Sequence, residues 1–171
     1  MWIDKKPPWT MEAEIAILRI MFHHNAVIPE VKQRMGRKSF FYKHSFEILY
    51  KTMLKIYREK KPVDLITLID ELRNQGNSET VGGNAALEEL FLKEPPTIEK
   101  DGFSLVNLEH YLRNIEEKYW LRKFIYLAKN GIAVAYEGGD LKSLRQPLIE
   151  LLGVIEDIKK IGKFRFPKTK K

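Results

Sequence analysis

The sequence predicts an all-α protein, a globular helical head followed by a long antiparallel two-helix hairpin. Three observations predict it. Apolar residues recur at steps of three and four along most of the chain, which is the period of a helix that buries one face. No segment sustains the alternation of a half-buried strand. The chain from Ser104 to Tyr136 holds no proline, which leaves room for one helix far longer than those before it.

Residues 1–9 contain two prolines and read as an extended arm. Thr10 then stands where a side-chain oxygen can accept from the free amides of a helix starting at Met11, with Glu12 and Glu14 near its positive end. Ile15, Leu18, Ile20 and Phe22 are its expected core side. Ile28-Pro29 opens a short second helix, because proline's missing amide costs nothing in a first turn. Val31 and Met35 face inward and Gly36 ends it.

Between Ser39 and Lys60, the residues Phe46, Leu49, Tyr50, Met53, Leu54 and Tyr57 describe one wide helical face, closed by Lys61-Pro62. Asp64 caps the next helix, whose core side is Leu65, Leu68, Ile69 and Leu72, and Gly76 takes the left-handed position past its end. Val81-Gly82-Gly83 is a tight connection into a helix from Asn84 that carries Leu87, Leu90 and Phe91. Glu94-Pro95-Pro96 breaks that helix, and Thr97 to Phe103 reads as a loop. The head is therefore expected to span 10–103 and the hairpin 104–158.

In the long helix Leu105, Leu108, Leu112, Ile115 and Tyr119 follow a 3-4 rhythm that shifts to Leu121, Ile125, Ala128, Ile132 and Ala135. Gly138-Gly139-Asp140 supplies a turn and a new cap. The return helix places Leu141, Leu144, Leu148, Leu151, Ile155 and Ile158 at 3-4-3-4-3, a coiled-coil seam and the candidate self-association face. Pro147 interrupts it, so either the helix kinks there or a single turn precedes a helix that starts at Pro147.

The 171 residues carry 30 Lys and Arg against 23 Asp and Glu, a formal balance of +7. Seven of the basic residues lie in a tail, 159–171, that has no acid, so residues 1–158 are neutral overall. Lys159, Lys160, Lys163, Arg165 and Lys168, with Phe164 and Phe166 among them, would suit phosphate contacts and base stacking. A lysine-solubilised linker is the favoured reading of so short a tail.

The chemistry an enzyme would need is not found. Zero cysteines exclude disulfides, thiolate metal sites and cysteine nucleophiles. The single Gly-Lys pair, Gly162-Lys163, is followed by Phe164 and belongs to no phosphate loop. Adjacent His23 and His24 point to different helix faces, and His110 has Glu109 beside it but no second ligand at helical spacing. No catalytic, cofactor or metal residue is assigned. With no apolar run of about 20 residues and no signal-peptide core, a soluble cytoplasmic protein is expected.

Several features occur together in a familiar order: Pro8-Trp9-Thr10-Met11-Glu12-Ala13-Glu14, then Phe41-Tyr42, then Pro62-Val63-Asp64-Leu65-Ile66-Thr67-Leu68 with Glu71-Leu72. Val81-Gly82-Gly83 with Leu87 and Leu90 follows, and then Asn107, Tyr111 and Leu121-Arg122. Over about residues 7–158 this order resembles the N-terminal domain of bacterial replicative DNA helicases of the DnaB type. Arg19 stands where that family commonly has a glycine, Phe46 where it often has a histidine, and Lys60 replaces a usual glycine.

The resemblance implies a non-catalytic scaffold, the collar of a hexameric ring. Its partners would be itself, as a dimer or as a trimer of dimers, the helicase-binding domain of a primase, and a helicase loader. DNA would be held mainly by a motor domain these residues do not include, and ATP and magnesium are expected only there. Two other readings stand beside it. One is a stand-alone helical adaptor that binds a replication partner. The other is a small DNA-binding module using the basic tail, since the helix after Asp64 carries Asp70 and Glu71 against Arg73 and would repel phosphate.

Overall fold

The computed structural model describes residues 5–36, 39–93, 105–138 and 140–161. All regular structure among them is helical. The chain divides into two compact units, one of Trp9–Tyr119 and one from Trp120 onward together with the residues up to Pro8.

Helix α1 (Met11–His23) lies at the centre of the first unit. The sequence predicts one buried face, yet Ala13, Ala16, Ile17, Leu18, Ile20, Met21 and Phe22 are all buried, and Ile15 only partly. The helices His44–Arg58 and Gly83–Phe91 both pack on it, which leaves little of its surface for water. Its two buried charges are each used. The Glu14 carboxylate accepts from the backbone amides of Tyr42 at 2.6 Å and Lys43 at 3.4 Å. Arg19 donates to the Lys93 carbonyl, and His23 Nε2 donates to the Phe91 carbonyl at 3.0 Å. The expected capping by Thr10 is corrected: Thr10 holds the cap position, but its side-chain oxygen accepts from no helix amide, and its hydroxyl donates to Asn114 Oδ1 at 3.0 Å.

A single 3₁₀ turn, Asn25–Val27, leads into α2 (Ile28–Met35), with Pro29 in its first turn as expected. The Asn25 amide oxygen accepts from Val63 N at 2.8 Å and its nitrogen donates to Val63 O at 3.1 Å, clasping the chain at Val63.

Helix α3 (His44–Arg58) starts five residues after Ser39, because Phe40 and Phe41 are buried in the chain that precedes it. Phe46, Leu49, Met53 and Ile56 complete its inner series, and Tyr57, expected inside, is 37% exposed. It ends where Lys60 adopts φ +59°, the left-handed conformation that favours glycine.

Helix α4 (Leu65–Asn74) opens with a reciprocal cap. Asp64 Oδ1 accepts from Thr67 N at 2.8 Å while Thr67 Oγ1 accepts from Asp64 N at 3.1 Å. Leu68 and Leu72 reach full burial. Helix α5 (Gly83–Phe91) begins one residue before Asn84, after Gly82 at φ +93°, where an added Cβ would lie 2.9 Å from Ala86 Cβ. Phe91 stacks on Phe22 with ring centroids 4.4 Å apart.

The expected Thr97–Phe103 loop and the 103/104 division lie outside the described residues. A 3₁₀ turn, Leu105–Asn107, precedes α6, which runs unbroken from Leu108 to Tyr136. Leu108, Leu112 and Ile115 belong to the same core as α1 to α5, so the first unit extends along α6 to Tyr119. The register shift from Tyr119 to Leu121 falls at the division between the units.

In the second unit Asp140 Oδ1 accepts from Ser143 N at 2.9 Å and from Ser143 Oγ at 2.7 Å, capping α7 (Leu141–Ile161). Those bonds hold the Asp140 carboxyl below its ordinary range. Pro147 lies inside this single helix, so no separate helix starts there. Leu127 and Val154 are buried, and a methyl group added at Gly131 would meet Pro147 Cβ at 4.0 Å. Arg122 donates to the Pro8 carbonyl at 2.8 Å.

Candidate functional site

The seam predicted on α7 divides in two when its burial is read off. Leu144, Pro147 and Leu151 are half-buried and Val154 is buried, a 3-4-3 series that covers the helix within its own unit. Leu141, Leu148, Ile155 and Ile158 are exposed, the first of them at 87%. Leu152 and Ile149 lie on the open side as well, and neither was among the predicted residues. Their signal in the sequence is the i+4 step from Leu148 to Leu152, which widens a heptad stripe into a broader one.

The second stripe of α6 behaves in the same way. Leu121, Ile125 and Ile132 are exposed, joined by Phe124 and Tyr126. A hollow of about 420 Å³ lies between the two helices, lined by Leu127, Asn130, Val134, Ser143, Pro147 and Glu150 among others. Isolated exposed apolar residues are ordinary on a protein surface; here they succeed one another along both helices of one hairpin.

The tail residues fall differently. Lys159 and Lys160 lie in the last turns of α7, and their side chains, with Lys163, Arg165 and Lys168, lie outside the described residues.

Among the described residues no three His, Asp or Glu side chains are grouped to hold a metal ion, and no helix is long and apolar enough to cross a membrane. Tyr50 is pushed up to about 12 by burial, and with its ring beside Phe41 it is a core group. Lys55, on α3, binds Glu71, on α4, and Gln75 donates to the same carboxylate oxygen.

Against known proteins, residues 6–117 match the family described as DnaB-like helicase N terminal domain. The chain belongs to that family. It is 31% identical over 134 residues to a probable replicative DNA helicase of Trieres chinensis, covering 78% of this chain and 28% of that protein. It is 31% identical to the replicative DNA helicase DnaC of Bacillus subtilis strain 168, covering 73% and 26%. It is 27% identical to the replicative DNA helicase DnaB of Geobacillus stearothermophilus, covering 94% and 36%. The chain thus spans about a quarter to a third of the length of these relatives. Its fold is that of the N-terminal domain of DnaB helicase from Mycobacterium tuberculosis, with TM-score 0.74, 24% identity, and coverage of 87% of this chain and 99% of that one.

Proposed function

We propose that this chain is the non-catalytic scaffold of a replicative DNA helicase, joining copies of itself into the collar of the ring. The observation that carries the reading is the uncovered apolar surface of the α6–α7 hairpin. Burying one leucine is worth roughly 1.5–3 kcal/mol. Several such positions closing on a second copy offset the rigid-body entropy of association, about 4–15 kcal/mol.

In this reading the collar is also the layer that the helicase-binding domain of a primase, and a loader, would dock on, as the family likeness suggests.

Sedimentation velocity tests it. The wild-type chain should associate with rising concentration, and L148D/I155D should remain monomeric with its helical circular dichroism intact, because both side chains are exposed in the single chain. A wild type that stays monomeric at high concentration, or a variant that associates equally well, refutes the hairpin interface.

A further inference from the structure

The two helices of the hairpin each carry a helix-weakening residue, and the fold brings the two together. Gly131 sits in the interior of α6, where glycine gives up helix stability to backbone freedom. Pro147 sits in the interior of α7, where it has no amide to donate to the Ser143 carbonyl and its ring crowds that oxygen. Across the hairpin they are neighbours, within 4.0 Å once a methyl group is placed on Gly131. Each lies about as far from the turn as the other, roughly 9 Å along its helix.

Burial changes at the same level. Leu127 and Val154 close the hairpin on the side away from the turn. From Ala128 to Tyr136 and from Leu141 to Gly153 no described residue is buried. Adjoining Pro147 is the hollow lined by Asn130, Val134, Ser143 and Glu150, which gives side chains room to move. Two weakened helices, a lack of core beyond them and free volume beside them are the physical requirements of a bend.

We propose that Gly131 and Pro147 form a paired hinge, about which the turn end of the hairpin, Ile132–Tyr136 with Leu141–Gln146, moves as one piece against the closed end. The moving piece carries the exposed Ile132, Tyr136 and Leu141, so the hinge lets one apolar tip fit neighbours set at different angles. The inference rests on the single chain and stands whether or not the collar reading does.

Amide hydrogen exchange on the full chain tests it, run at several protein concentrations. In the wild type, amides of 132–136 and 142–146 should exchange at least about tenfold faster than those of 123–127 and 154–158. G131A/P147A restores good helix formers at both positions and should slow the turn-end amides by about tenfold or more. G153A is the control: it improves the same helix away from the hinge, in open space, and should leave the turn end unchanged. Equal exchange at the two ends in wild type overturns the hinge, as does an equal effect of G153A. Turn-end protection that follows concentration and not the variant also overturns it, by assigning the effect to a neighbour.

The absence of cysteine permits a second measurement, with spin labels on Y136C/E156C diluted into unlabelled chain. A broad distance distribution that narrows in the hinge variant supports the bend. A narrow one in wild type overturns it.

Discussion

Arg34 on α2 and Glu116 on α6 form an ion pair at 2.5 Å, with 9% and 6% of the two side chains exposed. The pair fastens the start of the long helix to the head, and it does so out of water, where an unpartnered charge is expensive. E116Q should therefore destabilise the first unit by about 3–5 kcal/mol, whereas R34M/E116L should recover much of that loss because no charge is left buried. Urea unfolding of the three proteins decides it, and equal losses in single and double variants would remove the pairing argument.

Lys60 offers a change in the other direction. An L-residue in the left-handed region costs about 1–2 kcal/mol, and glycine returns roughly 0.5–1 kcal/mol of that as unfolded-chain entropy. K60G should accordingly raise the urea midpoint slightly at unchanged slope. A lowered midpoint would mean that the lysine side chain contributes more than its backbone conformation loses.

Hydrogen bonds from Lys55 and Gln75 hold the Glu71 carboxyl below the usual carboxylate range. The unfolded chain then binds more protons than the folded one as the pH falls, so stability rises with pH through that window and is lost as the pH drops through the lowered folded value. Thermal unfolding between pH 6 and pH 2, roughly the span over which carboxylates titrate, should show a shallower acid loss in E71Q. An unchanged acid limb would rule Glu71 out as a contributor.

Any DNA affinity should reside in the tail. Changing Lys159, Lys160, Lys163, Arg165 and Lys168 to Gln removes most of the net charge without shortening α7, and binding to a single-stranded oligonucleotide should become negligible at moderate salt. Undiminished binding, read by fluorescence anisotropy, would move the contact onto the helices.

Local signals were legible wherever they act alone. The Asp64 cap, the prolines and the glycine turns each act within four or five residues, and the helices from α2 to α5 lie close to their expected places. The local pattern at Thr10 predicts a cap, but its hydroxyl meets Asn114, a residue 104 positions away that no local pattern can anticipate. Glu14 and Arg19 were invisible for the same reason, since their burial depends on where the amides before α3 and the end of α5 come to rest. On α7 the heptad showed which residues are apolar but not which side the single chain covers. That choice is made by the helix opposite.

Helix α1 is enclosed by elements made after it, and this sets a condition on how the protein is synthesised. Phe22 waits for Phe91, 69 positions later, and that stretch takes roughly 3–14 s to emerge from a ribosome. Through that interval a helix apolar on nearly every side has no native cover. Its charges, Glu12, Glu14 and Arg19, are the exception. Glu14 and Arg19 keep the segment partly soluble until α3 and α5 arrive, and each then becomes a latch on the element that buries it.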